Sequence, residues 1–165
     1  MSEWTAVRLA PGLFLFVLAE GGALRRAAFA RSETDVPPAF ASSRRNDREP
    51  VLEQARRELE EYAQGVRRRF TVPFELEGTH FQCEVWKALF EIPCGETRTY
   101  GEIARAVGRP RAARAVGAAA GKNPLPVIVP CHRLIGAGGR LGGFSGGPGI
   151  KEQLLEMEGC LRGRR

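Results

Sequence analysis

Thr99-Tyr100-Gly101-Glu102-Ile103-Ala104-Arg105-Ala106-Val107-Gly108, continued by Arg109-Pro110-Arg111-Ala112-Ala113-Arg114-Ala115-Val116-Gly117-Ala118-Ala119-Ala120-Gly121, narrows the fold more than any other stretch of the chain. Thr99 with Glu102 three residues later has the spacing of a capping box, in which each side chain satisfies a backbone N–H at a helix start. The spacing predicts a helix through Val107, stopped by Gly108. Pro110 then opens a second helix over about 111–120, which Gly121 and Asn123-Pro124 break. Two short helices joined by a glycine-containing turn make a helix-turn-helix candidate over about 99–121. Helix pairs are also common packing units, so the pattern alone leaves both readings open.

On either side the pattern stays helical and short. Upstream, Thr79 and Gln82 repeat the capping-box spacing, Phe81, Val85 and Leu89 share one face, and Pro93 ends the element. Downstream, Val127-Ile128-Val129 reads as a short buried strand stopped by Pro130, followed by Cys131-His132-Arg133. A loop rich in glycine runs from Gly136 to Gly149, where backbone can approach a flat ligand closely. A last helix carries Ile150, Leu154 and Leu161 on one face, and Glu158 falls on that face too.

Residues 1–78 read differently. Leu13 to Leu18 and Leu24 to Phe29 are strand-like and flank a Gly21-Gly22 turn, so they predict a hairpin. Residues 32–50 read as an irregular loop, and Pro50 opens a helix with Leu52, Ala55, Leu59 and Tyr62 on one stripe, ended by Gly65. Phe70 to Phe74 is a further candidate strand. The expected architecture is an α/β N-terminal domain over 1–78 and a mostly helical C-terminal domain over 79–165, with the active-site segment at 127–147.

The chain has 165 residues, 43% hydrophobic and 27% charged, the composition of a globular protein. Its longest apolar run, Leu13 to Ala19, is too short to cross a bilayer, and Met1 to Ala10 lacks the basic leader of a secretory signal. A cytoplasmic, monomeric protein without membrane association is expected. The net charge of +6 is unevenly placed: residues 1–78 hold 12 basic and 12 acidic side chains, and residues 79–165 hold 13 and 7. Arg98, Arg105, Arg109, Arg111, Arg114, Lys122, Arg133 and Arg140 share their segment with Glu102 alone. That surplus is the footprint of a phosphate-binding surface, or else a solubilising face with no partner.

Four cysteines, at 83, 94, 131 and 160, match no paired zinc spacing, and only His80 and His132 are available to complete a site, so no metal or cofactor is expected. Cys83 and Cys160 read as packing residues, Cys94 is undecided, and His80 reads as a surface residue. Cys131 differs. It follows a rigid proline at a strand end, and His132 and Arg133 beside it would favour thiolate over thiol. Neighbours on an extended chain point apart, so direct Cys–His contact would need a turn or a bridging water. Glu158 would orient the imidazole as the third member of a triad, or else it faces water.

These residues resemble the O6-alkylguanine-DNA alkyltransferases, also called methylated-DNA–protein-cysteine methyltransferases. The resemblance is carried by Val129-Pro130-Cys131-His132-Arg133, by 95–104, by Arg114-Ala115-Val116-Gly117-Ala118-Ala119 with Asn123-Pro124, and by Gly143-Phe144-Ser145-Gly146-Gly147. It covers 79–161 well and is loose over 1–78, where it implies a ribonuclease-H-like domain. It implies direct, stoichiometric repair of double-stranded DNA containing O6-alkylguanine, with O4 of thymine as a possible second target and irreversible self-inactivation. Cys131 would accept the alkyl group, His132 would deprotonate it through a bridging water, and Glu158 would orient His132. Tyr100 would crowd the phosphate and donate a proton toward the departing guanine, and Arg114 would fill the space of the flipped base. Asn123 would be the hinge stitching the recognition helix to the active-site segment. Leu134 and Ser145 would hold the guanine edge through backbone groups, with Tyr100 and Phe144 in the same pocket. Phe144 stands where some relatives have tyrosine, and the zinc site of some animal members is missing. Arg98, Arg109, Arg111, Lys122 and Arg133 complete the expected DNA-binding set. A non-catalytic helix-turn-helix regulator, a Cys-His-Glu hydrolase and a lesion-binding relative lacking repair are the competing classes.

Overall fold

The computed structural model describes residues 1–141, 144, 146, 147 and 149–160. It separates into two compact units, Met1–Leu76 and Glu77–Arg165.

The first unit is a four-stranded sheet with one helix. β1 (Glu3–Ala10), β2 (Leu13–Glu20) and β3 (Ala23–Ala30) form an antiparallel meander, and the two-residue β4 (Arg44–Arg45) pairs parallel to β1, giving the order β3-β2-β1-β4. Gly21 and Gly22 both take positive φ, 63° and 80°, as the tight β2–β3 hairpin requires. Trp4, Ala6, Phe16 and Leu18 alternate onto one face, where Phe40 closes a cluster. α1 (Pro50–Ala63) packs on β1 and β2 through Leu52, Ala55, Leu59 and Tyr62, so β2 is apolar on both faces. β1 lies N-terminal to the expected hairpin and joins β2 through the Pro11-Gly12 turn, where Gly12 takes a φ of 70°.

The candidate strand at Phe70 to Phe74 does not form; only Phe74 bridges Leu24. The reason is Glu58, which is fully buried on α1. Its carboxylate accepts from the backbone N–H of Thr71 at 2.7 Å and of Val72 at 3.1 Å, so those donors are spent on a side chain rather than a ladder.

The second unit holds α2 (His80–Phe90), β5 (Arg98–Thr99), α3 (Tyr100–Ala106), α4 (Ala113–Gly121), β6 (Leu134–Ile135) and α5 (Ile150–Met157). Both predicted capping boxes, Thr79 with Gln82 and Thr99 with Glu102, are made in full. α4 starts two residues after the predicted Arg111, because Pro110 lies in a turn closed by Ala112 N–H to Arg109 O at 2.9 Å. β5 and β6 pair parallel, fastening the start of α3 to the segment after Cys131. Trp86 on α2 donates to Ala119 O on α4 at 2.8 Å.

The strand expected at Val127-Ile128-Val129 is instead a tight turn. Val127 takes a φ of 74°, rare for a β-branched residue. Val129 spends its N–H on Leu125 O, and its carbonyl on Cys131 N–H and the Asn123 side chain, all at 2.8 Å. No backbone group of Val129 is left for a neighbouring strand.

Candidate active site

Cys131, His132 and Arg133 form one turn of 3-10 helix, entered from Pro130. Three residues per turn send three consecutive side chains in three directions, which an extended strand end would not do. Cys131 therefore lines a cavity while its two neighbours turn into the protein. The cavity measures about 530 Å³. One wall is the α4 face formed by Ala113, Arg114, Gly117, Ala120 and Gly121, and the rest includes Tyr100, Cys131, Leu134, Phe144 and Lys151. The Tyr100 ring lies against the helix at Gly117, where a Cβ would meet it at 3.4 Å, so the wall has room for one added carbon at ordinary contact distance.

Behind Cys131 lies a closed electrostatic group. Glu158, the cap of α5, is buried rather than facing water. Its Oε2 receives the Nε2–H of His132 at 2.6 Å, and Arg133 donates Nε to Oε1 at 2.8 Å and Nη2 to Oε2 at 3.1 Å. Arg133 Nη1 also donates to Ile92 O at 2.6 Å. Burial alone would raise the Glu158 carboxyl, but the bonds from His132 and Arg133 outweigh it and hold the group well below the ordinary carboxylate range. Complete burial pulls His132 below its ordinary value despite Glu158, so the ring is neutral. With the proton fixed on Nε2, Nδ1 is left as a bare acceptor, and it has no hydrogen-bond partner among the described residues.

This geometry corrects two expectations. Arg133 cannot bind phosphate: it is 5% exposed and its guanidinium is committed to Glu158 and Ile92. Nor do His132 and Arg133 ionise the thiol by charge, since one is neutral and the other neutralised. Burial raises the Cys131 thiol, and the forces opposing it are a hydrogen bond from Asn123 and the positive charge of Lys151.

The other anticipated residues are distributed as follows. Asn123 joins the end of α4 to the Cys131 turn, donating to Val129 O and accepting from Leu125 N–H at 2.9 Å. The phenol of Tyr100 is raised by burial and by the neighbouring Cys131, and stays protonated. Leu134 spends its N–H on Cys131 O and receives Lys151 Nζ on its carbonyl, which keeps one lone pair. Phe144 lines the cavity, whereas Ser145 lies outside the described residues, as does Leu161. Arg109, Arg111, Arg114 and Lys122 are exposed, and Arg109 lies over the Phe81 ring at 5.5 Å. Arg98 is half-buried and pairs with Glu96 at 3.1 Å. His80 is exposed and pairs with Glu84. Among the described residues no group of three His, Cys, Asp or Glu side chains is arranged to hold a metal.

Lys151 was missed. The signal was present in the spacing, because Lys151, Leu154, Leu155 and Glu158 recur at i, i+3, i+4 and i+7 and all four are buried. Reading α5 from Ile150 hid that face.

Residues 80–160 match the family model described as 6-O-methylguanine DNA methyltransferase, DNA binding domain. A methylated-DNA–protein-cysteine methyltransferase from Methanosarcina acetivorans is 54% identical over 129 residues, covering 78% of this chain and 80% of that protein. One from Methanosarcina mazei is 56% identical over 101 residues, an alignment spanning 61% of this chain and 64% of the relative. Among solved structures, the O6-methylguanine methyltransferase of Mycobacterium tuberculosis superposes with a TM-score of 0.82 at 41% identity, covering 96% of this chain and 93% of that one. The same organism's protein has also been solved in complex with DNA, and that structure matches with a TM-score of 0.81.

Proposed function

The chain belongs to the methylated-DNA–protein-cysteine methyltransferase family, and from that membership we propose that it repairs DNA directly, moving an alkyl group from O6 of guanine onto Sγ of Cys131 once per molecule. The observation that carries the assignment is Cys131 in the wall of a cavity large enough for a base, shared with Tyr100 and Arg114.

The target atom lies inside the base stack, so the nucleotide rotates out of the duplex before reaction. α3 and α4 serve as a helix-turn-helix pair, with α4 presenting Arg114 to the gap left in the duplex, and Arg98, Arg109, Arg111 and Lys122 holding phosphates. Arg114 belongs to both the cavity wall and the exposed face of α4, which supports the finger role. In the pocket, the thiol proton passes to Nδ1 of His132 through a bridging water, as the resemblance implies. Glu158, kept ionised by Arg133, stabilises the imidazolium that results. The sulfur pair forms the S–C bond, the C–O6 bond breaks with its pair going to guanine, and the phenol of Tyr100 supplies a proton to the departing base. Burial and the neighbouring Cys131 raise its pKa, so the phenol still carries that proton when the base departs.

The product is a thioether with no carbonyl for water to attack, so the protein is consumed. The order β3-β2-β1-β4 with α1 on the sheet supports a ribonuclease-H-like reading of residues 1–78 as structural support, with 79–165 as the DNA-binding and acceptor domain. Incubation with excess methylated duplex tests the function: guanine should be restored to a limit of one equivalent per protein. Continued turnover would replace this reading with a Cys-His-Glu hydrolase.

A further inference from the structure

Lys151 is the charged side chain of the cavity wall that the proposed mechanism leaves unused. It is 2% exposed, and its Nζ donates to the Leu134 carbonyl. Among the described residues no carboxylate lies within ion-pair distance of it. Glu158, on the same helix face two turns on, is already committed to His132 and Arg133. A buried ammonium tied to a single neutral carbonyl is expensive to maintain, and a hydrophobic residue would fill the same space at less cost. The other titratable or charged groups around Cys131 are Tyr100 from α3, Arg114 from α4, and His132, Arg133 and Glu158 behind it. Tyr100 and His132 are neutral, Arg133 and Glu158 cancel, and Arg114 is exposed to solvent.

We propose that Lys151 is a positioning residue for the known reaction, its buried ammonium held in the cavity wall by the Leu134 carbonyl so that the sulfur of Cys131 is stabilised as thiolate. The inference rests on the reading of Cys131 as acceptor. It accounts for how Cys131, a residue only 6% exposed, is stabilised as thiolate once His132 takes its proton, when neither neighbour carries net charge toward it beforehand. Burial lowers the Lys151 ammonium and raises the Cys131 thiol, and against that shared cost each group favours the charged form of the other, with Glu152 also supporting the ammonium.

The test separates thiol ionisation from repair. Carbamidomethylation of Cys131 by iodoacetamide, followed by peptide mass spectrometry across a pH series, reports the thiolate in the intact protein. Lys151→Gln keeps a donor for Leu134 and removes the charge, Lys151→Met keeps the packing alone, and Lys151→Arg keeps the charge. The uncharged variants should move the midpoint up by about one unit, leaving roughly tenfold less thiolate at neutral pH. Methyl transfer should slow by about the same factor and recover at higher pH, with Lys151→Arg close to wild type. Circular dichroism identifies the variants that fold, and either uncharged variant suffices. An unchanged midpoint overturns the proposal whatever the DNA assay gives. A wild-type protein that DNA leaves unmethylated removes the acceptor reading, and the iodoacetamide midpoint still decides for or against Lys151.

Discussion

Glu158 binds two donors at once, and the site's electrostatics turn on that fact. Removing Arg133 strands a buried carboxylate, so Arg133→Leu should destabilise the fold by about 3–5 kcal/mol, read from urea unfolding. A loss below about 1 kcal/mol would mean the guanidinium is not holding the carboxylate. His132 supplies a pH dependence with a definite sign. Its folded value is depressed by burial, so below its ordinary 6.5 the unfolded chain takes a proton that the folded ring resists. Stability should therefore decline as pH falls from about 7 to 5, and His132→Asn should flatten that slope. An equally steep decline in the variant would assign the effect elsewhere. Glu158 acts in the same direction at lower pH: its contribution is complete above its ordinary 4.5 and is lost as pH falls through the depressed folded value. Cys131, His132 and Glu158 were legible from residue type and spacing. Arg133 was misread because a basic residue in a basic segment looks like surface, and only the 3-10 turn carries it inward.

At the scale of elements, the caps and the small face of α4 position the chemistry. Thr99→Ala removes the hydroxyl that accepts from Glu102 N–H at 3.1 Å, and should cost about 1 kcal/mol and loosen Tyr100 at the head of α3. Gly117 tests the wall directly. Alanine there places a Cβ at ordinary contact distance from Tyr100 and should raise stability by up to about 1 kcal/mol. Gly117→Val adds carbons that collide with the ring, so repair should fall at least tenfold while the protein remains folded. Equal repair by both variants would show that the Tyr100 ring need not rest on α4. The starts of α2 and α3 were readable because capping boxes are local chemistry, whereas α4, which has no side-chain cap, starts two residues later than its sequence suggests. The turn at 125–129 was not, since three apolar residues suit a buried strand equally well, and a side chain six residues away, Asn123, decides the outcome. The segment at 70–74 failed likewise, through Glu58.

For the whole molecule the charge distribution sets how it meets its substrate. The positive excess lies entirely in residues 79–165, and four exposed or half-buried basic residues, Arg98, Arg109, Arg111 and Lys122, are assigned to phosphate. Affinity for duplex DNA should fall by about two to three orders of magnitude between about 50 and 200 mM salt. Arg114→Ala should impair repair of duplex far more than reaction with the free alkylated base, because only the duplex requires flipping. Equal losses with both would remove the finger role. The second unit was largely legible because its function depends on local motifs. The first was legible as a hairpin and a helix but not as a complete sheet, since β4 is two residues long and its pairing with β1 joins positions about forty residues apart. One measurement bears most directly on the chemistry: mass spectrometry of peptides after incubation with O6-methylguanine duplex. A single methyl on the peptide containing Cys131, in proportion to guanine restored, is the expected result. Restored guanine with Cys131 unmodified, or with the methyl on Cys83, Cys94 or Cys160, would contradict it.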